Sequence, residues 1–158
     1  MVEIKKDLLS PCGLYCGVCR VYVAHKDNDI KLKKDLFPLY KAYGAKSMED
    51  MACTGCLSDG IHFPFCRSCT IKDCVKDKEI EGCHQCTEFP CEIIAKWPSE
   101  PGKKIILRNI PAWRELGTEK WVKAVEKRYQ CPECGKQLFR GVTNCNQCNA
   151  AVDLDNLI

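Results

Sequence analysis

Fifteen cysteines are spread over 158 residues, and most stand in pairs with two residues between them. Near the C-terminus, Cys131-Pro132-Glu133-Cys134-Gly135 is followed by Cys145-Asn146-Gln147-Cys148. Each pair is a knuckle, a tight turn that aims two sulfurs at one point. Gly135 can take the positive φ that such a turn needs. Two knuckles make a tetrahedral four-thiolate site with bonds of about 2.3 Å, the structural zinc geometry. A four-thiolate site leaves no open position on the metal, so catalysis there is not expected. Between the knuckles, residues 136–143 are expected to form a small hairpin.

The other eleven cysteines lie upstream: Cys12, Cys16 and Cys19; Cys53 and Cys56; Cys66, Cys69 and Cys74; Cys83, Cys86 and Cys91. Eleven is one short of three four-ligand sites. A histidine can complete the set: His25 follows Cys19, His62 precedes Cys66, and His84 sits inside the Cys83–Cys86 pair. Two full sites with spare, reactive thiols is an equally economical count. Cys66-x2-Cys69-x4-Cys74 recurs seventeen residues later as Cys83-x2-Cys86-x4-Cys91, with Thr70 and Thr87 after the second cysteine of each copy. The repeat predicts two loops that contribute ligands in similar ways. Zinc and iron–sulfur clusters both accept four thiolates, so the residue types fit either. Short pairs favour zinc, and the three-cysteine run Cys12, Cys16, Cys19 pulls toward iron.

Disulfides are the competing explanation of so many cysteines. An odd number leaves one thiol unpaired. The first residues, Met1-Val2-Glu3-Ile4-Lys5-Lys6-Asp7, carry no apolar secretory segment, and no apolar run reaches the ~18 residues of a membrane span. A cytoplasmic setting is expected. The formal charge of +3 does not argue for nucleic acid, because each zinc held by four thiolates adds a net −2, and three such sites turn +3 into −3.

The elements that must position these thiols are mainly helical. Asp27, Asn28 or Asp29 can cap a helix carrying Leu32, Leu36, Leu39, Tyr40 and Tyr43 on one face, kinked or split by Pro38 and stopped at Gly44. Residues 52–91 hold eight cysteines and only eight Leu, Ile, Val or Phe. Apolar burial alone hardly offsets the entropy of ordering such a segment, so metal is expected to act as its core. Its Gly, Asp and Pro residues predict loops and short turns. A short helix is expected from Glu92 to Trp97. Ile105, Ile106, Leu107 and Ile110 lead to Pro111, which is expected to open the next turn. Gly117 and Thr118 read as a stop and a new N-cap before Trp121, Val122, Val125 and Tyr129. Basic residues outnumber acidic ones eight to three between Lys103 and Arg128, the composition of a solvated helix face or a phosphate-binding one. No glycine-rich phosphate loop, G-x-S-x-G or H-E-x-x-H motif occurs.

The x3, x2 spacing of Cys12, Cys16 and Cys19 also matches the cluster-binding run of radical S-adenosylmethionine enzymes. Those enzymes need a barrel of strands and helices for which this chain has neither length nor strand runs, and Val18 stands where an aromatic residue is usual. A fuller match comes from the whole series Cys12-Gly-Leu-Tyr-Cys16-Gly-Val-Cys19, Cys53-Thr-Gly-Cys56-Leu-Ser-Asp-Gly, Cys66-Arg-Ser-Cys69 and Cys83-His-Gln-Cys86-Thr-Glu-Phe-Pro-Cys91-Glu. It resembles a prokaryotic cysteine-rich family catalogued as domain of unknown function 3795, over roughly residues 8–116. The resemblance implies metal binding by these cysteines and a cytosolic prokaryotic setting, and no reaction.

The expectation is therefore a mainly α fold with irregular, metal-stapled loops and a small β zinc ribbon at the C-terminus. Residues 1–129 form the cysteine-rich domain and 130–158 the ribbon, so that Cys134→Ala is expected to melt the ribbon alone. The expected function is a non-catalytic, mainly zinc-binding module that docks protein or nucleic acid through the ribbon and basic helices, without contact to membrane. The alternative is an iron–sulfur redox protein or enzyme with a cluster at Cys12, Cys16 and Cys19.

Overall fold

The computed structural model describes residues 3–156, and nearly all of its regular structure is helical. Seven α-helices follow in chain order: α1 (Arg20–Lys26), α2 (Ile30–Tyr40), α3 (Pro64–Arg67), α4 (Thr70–Asp77), α5 (Glu92–Ala95), α6 (Glu100–Leu116) and α7 (Thr118–Arg128). Single 3-10 turns stand at Cys16–Val18 and Cys83–Gln85, each on a cysteine motif. Of the three candidate caps for α2, Asp29 is the one used: its carboxylate accepts the Leu32 amide at 3.0 Å. Gly44 stops the helical run in a left-handed conformation, φ +99°, after one further 3-10 turn.

One expectation about proline is corrected, and of the two alternatives for Pro38, a kink or a split, the split does not occur. Pro111 opens no new helix; it lies inside the 17-residue α6. Ile106, Ile110 and Trp113, which flank it, are at most 2 % exposed, so burial of one continuous face outweighs the hydrogen bond that Pro111 lacks. Pro38 likewise lies inside α2, which ends two residues later. Leu39, counted into the apolar stripe of α2, is largely exposed, whereas Leu36 is buried.

The β ribbon is absent in the expected form. Among the described residues the C-terminal segment has two isolated bridges, Gln130 with Gln137 and Asn144 with Ala151. Its backbone hydrogen bonds close two separate tight turns, with the amides of Cys131, Cys145 and Val152 donating to Lys136 O, Ala150 O and Thr143 O at 2.8–2.9 Å, while the Gly141 amide donates to the Asp155 carboxylate at 2.7 Å and the Arg140 amide to Val18 O at 2.8 Å. The bonds within each turn stand where a longer ladder was expected.

The apolar core has two parts. The larger gathers Tyr15, Val18, Ile71, Ile94, α6 and α7, together with Cys131, Leu138, Cys145 and Leu154. A stack of rings runs through it: His84 on Trp113 at 3.7 Å, and Trp113 on Trp121 at 4.3 Å, with Tyr15 edge-on at 6.0 Å. The core thus crosses the sequence boundary at Gln130. The smaller part holds Val21, Leu36, Ala45, Met51 and Phe63 under α1 and α2.

α6 fixes the first cysteine loop. Asn109, buried, donates its side-chain amide to Gly13 O at 2.8 Å. Gly13 has φ +85°, and a Cβ there would stand 2.9 Å from Ile110 Cδ1. Only glycine lets the chain turn between Cys12 and Cys16 this close to the helix.

Candidate metal centres

Among the described residues, one group of three or more His, Cys, Asp or Glu side chains brings all its ligand atoms within 4.8 Å of one another: Cys131, Cys134, Cys145 and Cys148. The Cys131 and Cys148 sulfurs are 3.6 Å apart, as are those of Cys134 and Cys145. A tetrahedron with metal–sulfur bonds of about 2.3 Å has an edge of ~3.8 Å, so these thiols are already placed for one ion. The amide of Cys148 foremost, and that of Gln147, draw the Cys145 thiol down to about 6, toward the thiolate a metal requires. The knuckles read from the spacing come together as a site that can hold one metal ion.

The eleven upstream cysteines are arranged differently, and none belongs to a group that tight. Seven of them, Cys12, Cys16, Cys19, Cys53, Cys56, Cys66 and Cys69, line one cavity of about 270 Å³. The other four, Cys74, Cys83, Cys86 and Cys91, line a second of about 20 Å³ closed by Ile71, Val75, Ile80, Phe89 and Ile94.

The seven divide again. Cys12, Cys16, Cys56 and Cys69 pack with the larger core; Cys19, Cys53 and Cys66 pack with the smaller one. Electrostatics links the two sets. The Cys16 thiol is pushed well up first by its hydrogen bond with Cys56, then by burial. Burial raises Cys12 to about 11, with Cys69 and Cys16 the thiols that add to it. Burial likewise raises Cys66, which lies in the field of Cys19, Cys53, Cys16 and Cys12, and Cys53, which lies in that of Cys19 and Cys16. Packing alone sorts the eleven as four, three and four, and Cys16 couples the first two sets. Cys12 adjoins the second quartet, since after burial it is the leading influence raising Cys83 to about 12.

The chain threads three of the four upstream cysteine runs between these packing groups. Cys12 and Cys16 go to the first quartet and Cys19 to the trio; Cys53 goes to the trio and Cys56 to the quartet. In the first repeat copy Cys66, Cys69 and Cys74 reach all three groups, whereas the second copy stays whole. The copies therefore do not contribute alike. After Cys69 the chain enters α4, which carries Cys74 around to the far side, while Pro90 ahead of Cys91 leaves no amide to extend a helix there. Backbone amides point at the sulfurs: Cys56 N donates to Cys16 Sγ at 3.3 Å and Gly55 N to Cys53 Sγ at 3.5 Å. Gly55 is held at φ +118°, and a Cβ on it would meet Asp7 O at 2.5 Å.

None of the three histidines joins a converging group of ligands. His84 is spent in the ring stack on Trp113. His25 Nδ1 lies 3.5 Å from Lys33 Nζ. The cavity also has lining that the cysteine spacing did not announce. Arg20 and Arg140 face it with Tyr40. The Arg20 guanidinium lies over the Tyr40 ring at 5.4 Å, and Arg140 donates to Tyr15 O at 2.7 Å. No sequence signal marks Arg140, which arrives from the C-terminal knuckles.

Residues 8–96 match the family described as "Protein of unknown function (DUF3795)". That match covers more than half of the chain and contains all eleven upstream cysteines, so the chain belongs to this family. The matched residues stop at 96, short of the expected 116, and leave α6, α7 and the knuckles outside. Neither the curated proteins nor the solved structures yield a match. Among the described residues, no helix is long and apolar enough to cross a membrane.

Proposed function

We propose that this chain is an iron–sulfur redox protein: polynuclear clusters occupy the upstream cysteine groups, and one structural zinc ion holds the C-terminal knuckles. The observation that carries the reading is the contrast between the two kinds of site. At the knuckles the sulfurs stand 3.6 Å apart, the spacing of ligands on one ion. Upstream, eleven thiols surround voids of about 270 and 20 Å³ without three sulfurs converging within 4.8 Å. A single ion would leave the larger space unfilled, whereas a sulfide-bridged cluster fills it and gives each thiolate its own metal; the space of about 20 Å³ beside Cys74, Cys83, Cys86 and Cys91 is of the size one ion takes, and a cluster there needs those thiols to move apart. Soft thiolate sets select zinc, copper(I) or iron–sulfur centres. Amides directed at Cys16 and Cys53 sulfurs are the contacts that tune such clusters.

The threading of cysteine runs between groups supports the same reading. In two-cluster ferredoxins the last cysteine of a run ligates the other cluster. Cys69, at the N-cap of α4, lines the larger cavity, and Cys74, inside α4, lines the smaller one. The docking reading gains less. Several cations of the basic helices are engaged within the chain: Arg108 on Asp155 O, Arg114 on His84 O and Cys86 O, Lys123 on Glu119.

The test is anaerobic purification with reconstitution, followed by counting iron, acid-labile sulfide and zinc. The expected result is iron and sulfide in equal amounts, roughly twelve of each if all three groups hold four-iron clusters, with a brown colour absorbing near ~400 nm. One zinc per chain is expected to remain. Three or four zinc ions per chain with no sulfide, obtained under strict anaerobiosis, would overturn the reading in favour of a colourless zinc module.

A further inference from the structure

Arg140 sits near the middle of the connector between the two knuckles, residues 135–144. From there it holds the first cysteine turn by both ends. Its amide donates to Val18 O at 2.8 Å and its guanidinium to Tyr15 O at 2.7 Å. Those two carbonyls bracket the 3-10 turn Cys16–Val18, which begins at Cys16 and is capped by Cys19. Within the turn Val18 N reaches Tyr15 O only at 3.4 Å, so Arg140 supplies the firmer bond to that carbonyl. Arg140 also lines the larger cavity with Cys16 and Cys19, and lies in the field of both thiols.

The connector is itself anchored. Leu138 and Phe139, beside Arg140, are buried. The Asp155 carboxylate accepts the Gly141 amide and the Tyr129 hydroxyl, each at 2.7 Å, and Arg108 Nη1 donates to Asp155 O at 2.6 Å. The sulfurs that flank the connector, Cys134 and Cys145, stand 3.6 Å apart. One ion bound there closes residues 135–144 into a loop. Without it the ends of the loop part, and its tip loses the placement that the closure provides.

We propose that Arg140 is a positioning residue for the upstream metal centre at Cys16 and Cys19, and that metal at the knuckles controls how firmly that centre is held by fixing Arg140. The proposal rests on the iron–sulfur reading above for the identity of the upstream metal. A charged donor on a carbonyl is among the stronger hydrogen bonds, and a single 3-10 turn has few bonds of its own to keep its cysteines aimed. Arg140 lies outside residues 8–96, the span matched to the family, so the C-terminal part of this chain adds a clamp to the family's domain. The coupling is reciprocal: metal upstream strengthens zinc binding at the knuckles by the same factor.

The experiment uses the full chain, reconstituted anaerobically with iron, sulfide and zinc, then challenged with chelator. Iron loss is followed by absorbance near ~400 nm. Arg140→Met is expected to lose iron roughly tenfold faster than wild type, the scale of one hydrogen bond from a charged group, while keeping its zinc ion. Arg140→Lys, which retains a charged donor, is expected to restore most of the wild-type rate. Cys134→Ser is expected to lose iron at least as fast as Arg140→Met, and adding Arg140→Met to it is expected to change nothing further. Should Cys134→Ser fail to fold, Arg140→Met and its rescue by lysine still decide, because all four knuckle thiols remain. A wild-type rate of iron loss in Arg140→Met would overturn this inference and leave the iron–sulfur reading standing. So would loss of the zinc along with the iron in that variant, or an undiminished effect of Arg140→Met in the Cys134→Ser background. A chain that takes up no iron or sulfide would overturn both.

Discussion

Cys134→Ala is expected to lower the melting temperature of the whole chain, as a single shifted transition, and to remove one zinc ion per molecule. A structural zinc contributes an apparent ~10–16 kcal/mol to the folding of small domains, comparable to the entire ~5–15 kcal/mol stability of most proteins. Without the fourth thiolate the knuckles open. Leu138 and Leu154 then leave the core they share with Trp113 and Trp121. Each buried leucine contributes about 1.5–3 kcal/mol, so the helical part loses roughly 3–6 kcal/mol. For a chain of this size that is a drop on the order of 10 °C. The outcome differs from what the cysteine spacing suggests, a ribbon that melts alone. Calorimetry decides: a helical transition that stays at its wild-type temperature would mean that the boundary at Gln130 separates independent units after all.

The second large effect is expected on removing every metal. Treated with chelator under reducing conditions, the chain is expected to lose its cooperative melt and much of its helical circular dichroism. The seven-cysteine cavity gives a scale. Its seven thiols, around a space of about 270 Å³, are tied together by metal bonds, and one structural ion alone is worth an apparent ~10–16 kcal/mol in small domains. That is comparable to the whole stability of most proteins. The loss falls hardest on α3, α4 and the turn at Cys83–Gln85, which are too short to hold as helices without their thiol anchors. Iron and sulfide, supplied anaerobically, are expected to restore the melt. A metal-free chain that melts as sharply as the untreated one would contradict this account of what holds residues 12–91 together.

What the sequence disclosed follows from how local each signal is. The knuckles were legible because ligand spacing, Pro132 and Gly135 all act within a few residues. The helix α7 was legible because Trp121, Val122, Val125 and Tyr129 repeat at helical spacing and all four are buried. Pro111 misled, because a local rule about proline competes with the burial of Ile106, Ile110 and Trp113 along a face seventeen residues long, and the tertiary term wins. The hairpin was expected over residues 136–143, and the backbone instead closes each knuckle on itself, with the Arg140 amide donating to Val18 O, a partner far away in the chain.

The division of the upstream cysteines was not legible. Spacing suggests that neighbours in a run share an ion, whereas the chain separates Cys16 from Cys19 and Cys53 from Cys56 across two packing clusters. That separation depends on the direction each turn takes after its cysteine, set by Asn109 holding Gly13 and by Asp7 pressing on Gly55. The count of eleven, one ligand short of three complete sites, was in the sequence from the start.

The most direct measurement is X-ray absorption at the iron and zinc edges of the anaerobically reconstituted chain. Iron surrounded by sulfur with a clear iron–iron vector, beside zinc surrounded by four sulfurs and no metal neighbour, is the predicted result: clusters upstream, a lone ion at the knuckles. Zinc alone, each ion in an isolated four-sulfur shell and no iron retained, would contradict it.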